Sequence, residues 1–258
     1  MKTKLLLLIA ALALAGCSSI THIPEAEPAK PVWPASNEFK SITKSNNEKV
    51  VVAVYGFTDK TGQRKPSDKL ANISFAVTQG GESMLIEALK NAGDGSWFTV
   101  VERVGLDNLT KERQIIRQAR DSVNDPKQLK PMLFAGIILE GAIVGYDSNI
   151  LTGGAGARFL GVGPYTDYRQ DVVTVTLRAV SVQTGEVLLS ASTTKTIIST
   201  NYNVTYFKFL DMGTNSAEAE IGYSVNEPVT YAVKTAIEQA VVDIIKQGAN
   251  HKYWEIKK

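Results

Sequence analysis

Ala217, Ala219, Ile221, Tyr223 and Val225 alternate without a break with Glu218, Glu220, Gly222 and Ser224. A period of two is the repeat of a β-strand, whose successive side chains leave opposite faces; here one face is apolar and the other polar. That is the apolar-out, polar-in dyad of a strand in a water-filled barrel. Upstream, Asp211, Gly213 and Asn215 supply a turn, and Asn201–Leu210 forms a first arm whose faces Lys208 and Phe209 blur. Residues 200–224, rich in aromatics (Tyr202, Tyr206, Phe207, Phe209, Tyr223), therefore read as one hairpin. Ile150–Gln170, with Gly153, Gly154, Gly156, Gly161 and Gly163, reads as a second. A membrane strand needs about 9–11 residues, so each stretch suits a hairpin with a short turn. Both also read as long water-soluble loops or hairpins, because each strand signal is weak by itself.

Beyond Ala15 no apolar run approaches the ~20 residues of a membrane helix, so a crossing by this chain has to use β-strands in a closed barrel. Two hairpins give four strands. Four strands cannot close around a lumen, and open edges are not tolerated in lipid. If the hairpins are membranous, several protomers share one barrel, so the pair predicts a ring.

The N-terminus supplies the address. Lys2 and Lys4 precede Leu5–Ala15, a run without a polar side chain, and Ala15, Gly16 and Cys17 close it with small residues. Charged, apolar and small regions in that order form a secretory signal peptide, residues 1–16. Leu14-Ala15-Gly16-Cys17 resembles the lipobox of bacterial lipoproteins, which implies an acylated Cys17 as the new N-terminus and, with Ser18 after it, transport to the outer membrane. Each buried methylene contributes about 0.8 kcal/mol, so several acyl chains hold firmly. Cys17 is the only cysteine, which rules out an internal disulfide or a cysteine metal cage. Loss of Lys2 and Lys4 takes the formal charge from +2 to zero, and a neutral chain carries no electrostatic footprint for nucleic acid.

Residues 17–47 read as a lipidated linker. Pro24, Pro28, Pro31 and Pro34 keep it extended and leave little to bury. Val50–Phe57 is β-branched and aromatic, a strand ended by the polar turn Asp59-Lys60-Thr61-Gly62. Gly80–Asn91 puts Met84, Leu85, Ala88 and Leu89 on one helix face. Phe98–Glu102 is a short strand, Leu106–Arg120 a charged amphipathic helix and Ile137–Tyr146 a long strand. Val172–Val182 and Glu186–Ile198 form a hairpin across Thr184-Gly185. Asn226 reads as an N-cap, with Pro228 in the first turn of a helix that Gly248 ends. Segments 48–149, 171–199 and 225–258 thus make an α/β (α+β) domain, interrupted by hairpins at 150–170 and 200–224.

Catalytic chemistry is missing from this pattern. His22 lies in the linker and His251 near the end, so no histidine triad or metal cluster forms. Gly153-Gly154-Ala155-Gly156 lacks the lysine and hydroxyl of a phosphate loop, and Gly161-Val162-Gly163 lacks a preceding apolar strand. Glu218 and Glu220 share one face of a strand, which fits a lumen lining better than paired catalytic carboxylates. No catalytic residue, metal ligand or cofactor is assigned, and the chain reads as a non-enzyme.

Several stretches resemble the curli production assembly/transport component family, the CsgG-type outer-membrane channels. They include Val52-Ala53-Val54-Tyr55, Thr61-Gly62-Gln63-Arg64-Lys65-Pro66, Ala76-Val77-Thr78-Gln79 and Glu102-Arg103-Val104-Gly105-Leu106-Asp107-Asn108-Leu109. Further on come Glu112-Arg113-Gln114-Ile115-Ile116-Arg117, Glu140-Gly141-Ala142-Ile143-Val144-Gly145-Tyr146, Gly153-Gly154-Ala155-Gly156-Ala157-Arg158, Thr184-Gly185-Glu186-Val187 and Asn226-Glu227-Pro228-Val229, in the family's order from the lipobox to Trp254. The resemblance implies a nonameric outer-membrane lipoprotein pore. Each protomer adds two hairpins to a shared barrel above a periplasmic domain. The pore exports unfolded curli-type fibre subunits without nucleotide hydrolysis, and works with a periplasmic and a surface accessory protein. It also implies a constriction in the loop Lys65–Phe75. Asn72 matches the family's asparagine, and Ile73 stands where the family has phenylalanine. Ser67 and Asp68 fall where its tyrosine belongs, and Phe75 restores an aromatic at a shifted position. The competing reading is a periplasm-facing, lipid-anchored binding or assembly lipoprotein without a pore.

Overall fold

The computed structural model describes residues 37–45, 48–64, 75–151, 162–209, 216–225 and 228–255; of residues 38, 149–151, 162–169, 199–209 and 216–225 it describes the backbone. The chain divides into two units, Met1–Pro34 and Ala35–Lys258, and all described residues belong to the second. The signal peptide, Cys17 and most of the linker lie outside them.

Among the described residues six strands form one sheet in the order β2-β1-β3-β4-β5-β6. They are β1 (Val50–Asp59), β2 (Phe98–Val101), β3 (Ile137–Leu151), β4 (Val162–Ser181), β5 (Val187–Phe209) and β6 (Ser216–Val225). β2, β1 and β3 run parallel, whereas β3 through β6 are antiparallel neighbours. The described helices are α1 (Asn37–Lys40), α2 (Gly81–Asn91), α3 (Leu106–Ser122) and α4 (Val229–Asn250). None of them is long and apolar enough to cross a membrane.

One face of the sheet is packed. α2 lies on β1 and against α4, and α4 lies on β4 and β5. Leu85, Ala88 and Leu89 of α2 are buried as their spacing predicts. The repeat in α4 buries Val233, Ala236, Ile237, Ala240, Val241 and Ile244. Phe57 is fully buried where a Cβ on Gly81 or Gly141 would strike its ring, so both glycines make room for it. Trp97 donates from Nε1 to the Thr43 carbonyl at 2.9 Å and meets Trp254 edge-on at 6.3 Å, which ties the segment behind α1 to the core. Two turns read from composition carry the expected left-handed glycines, Gly62 at φ 65° and Gly185 at φ 73°.

Some elements differ from their sequence outlines. α4 runs to Asn250, so Gly248 lies inside it rather than past its end. A Cβ at Gly248 would overlap the indole of Trp254, whose Nε1 donates to the Ile245 carbonyl at 2.8 Å. That glycine is the floor for a tryptophan, not a helix stop. α4 starts at Val229 with Pro228 as its N-cap, and Asn226 lies outside the described residues. α3 forms as predicted but buries no residue. Its flank is tied to the returning segment by three arginines: Arg120, Arg113 and Arg103 donate to the carbonyls of Lys127 (2.9 Å), Lys130 (2.8 Å) and Leu133 (3.1 Å).

Candidate functional site

β4 spans 20 residues and β5 spans 23. Ordinary strands run about 3–10 residues, so these far exceed what a core of this size needs. Both cross the predicted boundaries at 170/171 and 199/200 unbroken, and β3 crosses 149/150 likewise. The described strand residues of these two segments therefore extend the body's own sheet, and 152–161 and 210–215 lie outside the described residues.

In the lower half of β4 the odd-numbered residues Asp171, Val173, Val175 and Leu177 are buried beneath the helices, with Ala191 and Ile197 of β5 on the same side. The even-numbered residues take the uncovered side. There Thr174 meets Thr194 at 3.3 Å, Thr176 meets Ser192 at 3.1 Å, and Arg178 pairs with Glu140 at 2.7 Å. Together with Tyr55, Gly141 and Val144, Thr176 and Arg178 line an open groove of about 540 Å³ on this side.

The same two series continue upward without a register shift. The odd series of β4 and β5 becomes polar: Asp167 pairs with Asn201, Tyr165 with Asn203 and Gly163 with Thr205. β6 carries it on, with Asn201 opposite Ser224, Thr205 opposite Glu220 and Phe207 opposite Glu218. The even series becomes apolar and aromatic: Tyr202 pairs with Tyr223, Val204 with Ile221 and Tyr206 with Ala219. The arm that local composition leaves blurred is thus in phase with its partners, and Lys208 falls opposite Ala217. Along unbroken strands, the polarity of the two faces reverses between residues 171 and 169 of β4 and between 197 and 199 of β5. At that row the Tyr146 hydroxyl donates to Asp171 Oδ2 at 3.2 Å, and both residues are buried.

The sheet also ends in open edges. β6 pairs only with β5 among the described residues. β1 accompanies β3 only as far as Ile143, so among the described residues 145–151 of β3 have a partner on one side only.

The second feature is a neck formed by Arg64 and Phe75. Arg64 and Phe75 form an antiparallel bridge, with the guanidinium carbon 3.8 Å from the ring centroid. Phe75 stays 40% exposed. Below it Asp59 accepts from the Thr61 amide (2.8 Å), the Thr61 hydroxyl (2.7 Å) and the Gln79 side-chain amide (3.0 Å). Burial alone raises the Asp59 carboxyl. The Thr61 hydroxyl and amide, the Gln79 amide and the Arg64 charge together outweigh it and hold the group below its ordinary value.

Of the residues singled out in the sequence, Phe75 sits at this neck, and Glu218 and Glu220 occupy alternate positions of β6 in the polar series. Cys17, Asn72 and Ile73 lie outside the described residues. The sequence outline missed Asp59, Gln79 and Arg64 as a unit. It also missed Tyr146 with Asp171. Gln79 stands 20 residues from Asp59, and Asp171 stands 25 from Tyr146. Among the described residues no three His, Cys, Asp or Glu side chains gather to hold a metal ion.

Among the described residues, a mixed α/β sheet with α2 and α4 packed on one face, prolonged into amphipathic strands with open edges, defines a class of protein whose body carries its own β extensions. Residues 37–258 match the family described as curli production assembly/transport component CsgG, and the chain belongs to that family. Relatives bearing that description in Salmonella typhimurium (strain LT2) and Escherichia coli (strain K12) are each 40% identical over 261 residues, covering 98% of this chain and 91% of the relative. Among solved structures, a PelC dodecamer from Paraburkholderia phytofirmans is similar at 14% identity and a TM-score of 0.31, covering 76% of this chain and 86% of that one. That likeness is too distant to carry an argument.

Proposed function

We propose that the chain is one protomer of an outer-membrane lipoprotein ring that exports unfolded curli-type fibre subunits by diffusion, without nucleotide hydrolysis. The observation that carries this reading is the reversal of polarity along β4 and β5. Below the reversal, the side away from the helices is polar, as water requires. Above it, that same side is apolar, which suits lipid, and the helix-side series turns polar, which suits a lumen. Strands of such a sheet cannot end in open edges inside a bilayer. Among the described residues, the free edge of β6 and the one-sided upper part of β3 are different surfaces of one chain. A head-to-tail contact between such surfaces repeats from protomer to protomer and closes as a ring.

In this reading, segments 150–170 and 200–224 are the membrane hairpins, and 48–149, 171–199 and 225–258 face the periplasm. Cys17 carries the lipid. Nine copies, the number the family resemblance implies, complete the barrel. Glu218 and Glu220 line the lumen, where carboxylates stay solvated. Asn72, Ile73 and Phe75 form the constriction, an amide beside apolar groups, which passes an extended chain and resists a folded one. Cargo and accessory partners follow the relatives' description as curli production assembly/transport components.

The test is native mass and negative-stain imaging of the detergent-extracted mature protein, followed by conductance in planar bilayers. A ring with a stain-filled hole and a defined conductance is expected. A monomer without a pore would sink the proposal and leave a lipid-anchored binding protein.

A further inference from the structure

Two strands have outer edges that change partners near the reversal of polarity. β6 ends at Val225, opposite Thr200, so above that row β5 is paired on both sides. Below it, among the described residues, β5 pairs only with β4. β3 shows the inverse. Its outer edge carries β1 as far as Ile143, opposite Asp59, and among the described residues nothing above that. β6 thus fills the lane beside β5 in the upper part of the sheet, and β1 fills the lane beside β3 in the lower part. Residues 189–199 of β5 hold no proline, glycine or bulge and one charged side chain, Lys195. Exposed edges are ordinarily guarded by such devices, and a long bare edge is a template for another chain.

We infer that the lower edge of β5 in one copy docks against the β1 flank of the next copy, residues 54–59 with 76–79. This rests on the channel reading above, in which the free edge of β6 meets the neighbour's β3. In the membrane β6 is the one strand between β5 and that neighbouring β3, each spacing being about 4.8 Å. Beneath Val225 the same lane continues, and the strand that stands beside β3 there is β1. A head-to-tail contact therefore brings each copy's β1 to the preceding copy's β5. The flank is shaped for side-chain docking rather than for a strand ladder. β2 covers β1 only from Val50 to Ala53. Above that, the Gln79 side chain reaches Asp59 at 3.0 Å, and a Cβ at Gly81 would lie 2.9 Å from the Phe57 carbonyl, so the segment before α2 runs along β1. Thr58 and Gln79 of this flank are exposed, as are Ser192, Thr194 and Thr196 of β5.

Within one chain the two edges stand apart. Thr58, Ala142, Thr176 and Ser192 form one row across β1, β3, β4 and β5. Three strand spacings separate Thr58 from Ser192, about 14 Å, whereas a disulfide needs Cα atoms within about 7 Å. A disulfide between Thr58→Cys and Ser192→Cys therefore joins two copies. Cys17 is the one native cysteine, and in the channel reading its sulfur is acylated.

The experiment uses the full mature chain in the outer membrane of expressing cells. Thr58→Cys and Gln79→Cys are each combined with Ser192→Cys, Thr194→Cys or Thr196→Cys. Each double variant is treated with a mild oxidant or a short bismaleimide and run on denaturing gels without reductant, and its native mass is measured beforehand. Gln239→Cys with Thr194→Cys, on opposite sides of the sheet, reports random collision. At least one edge pair is expected to give a ladder of multimers that climbs to the size of the ring, with most of the monomer band lost. The single variants and the collision pair stay monomeric on the same gels. Protein that runs as a ring by native mass yet gives no ladder from any edge pair would overturn the docking. So would products no larger than a dimer, because a head-to-tail contact propagates from copy to copy. Where one double variant does not assemble, the others decide. Absence of a ring from the unaltered protein overturns the channel itself, a different failure.

Discussion

The lower and upper halves of β4 and β5 are built from the same strands in the same register, yet they obey opposite rules. Below the row of Asp171 and Ile197, the helix side is packed with Val173, Val175 and Leu177, and the far side carries threonines and serines. Above it the helix-side series reads Asp167, Asn201, Asn203 and Thr205, and the far-side series Tyr202, Val204 and Tyr206. The pleat is indifferent to this exchange, since backbone hydrogen bonding does not sense which alternate set is apolar. The environment does sense it. A period of two therefore identifies a strand, whereas the phase of the apolar set, followed across neighbouring strands, identifies the solvent on each side.

The sharpest way to break this comparison is to remove one half. Replacing either 150–170 or 200–224 by a short turn is expected to abolish channel conductance while leaving a folded body, checked by bilayer recording and by cooperative thermal unfolding. Conductance that survives the deletion would end the barrel assignment. A loss of folding would show that the body needs its extensions, which the packing of α2 and α4 on its lower half argues against.

A finer cut uses adjacent residues of opposite series. Ile221→Lys puts a charge in the apolar series, where the cost near the middle of a bilayer is about 2–4 kcal/mol per protomer. Repeated around a ring, that penalty should abolish membrane assembly, read as the fraction of protein running as intact ring in mild detergent. Glu220→Lys, one residue away in the polar series, should assemble normally. Equal tolerance of both would place the two faces in the same solvent.

How much of this was legible beforehand differs between the halves for a physical reason. The body's elements follow from apolar period and turn chemistry, which are local: β1, expected at Val50–Phe57, ends two residues later at Asp59, and α2 starts at Gly81 instead of Gly80. The strand period was legible as alternation in 217–225 but not in 201–209. Phase there is set by the partner strand, and only pairing puts Lys208 opposite Ala217 and Phe207 opposite Glu218. Continuity across 170/171 and 199/200 was hidden for the same reason, because a change of polarity looks like the end of an element. The bond from Gln79 to Asp59 left only a turn signal, since Gln79 lies 20 residues on. Gly248 carried a misleading signal: glycine near a helix end suggests a stop, and nothing local announces Trp254.

That glycine offers a test confined to the body. Gly248→Ala forces a methyl into the Trp254 indole. Overpacking of this kind costs about 1–3 kcal/mol, so the thermal midpoint should fall while ring mass and conductance stay unchanged. An unchanged midpoint would mean that Trp254 swings aside freely, in spite of its bond to the Ile245 carbonyl.

The smallest expected effect sharpens the comparison within the lower half alone. Thr176 and Val175 are neighbours in β4, one on the uncovered side and one fully buried. Thr176→Val keeps the branched shape that suits a strand and removes one hydroxyl from an exposed pair with Ser192, so its effect on unfolding free energy should stay within about 0.5 kcal/mol. Val175→Thr makes the inverse exchange one residue away. It buries a hydroxyl among Val173, Leu177 and α4, at a cost of about 1–3 kcal/mol unless the hydroxyl finds a backbone acceptor. Chemical denaturation of the body carrying each change separates the two. The order is expected to hold only below the reversal. At Val204, in the apolar series above it, exchange to threonine should be felt in assembly within the membrane and hardly at all in the unfolding of the body. The row of Asp171 and Ile197 would then be located by energetics as well as by register.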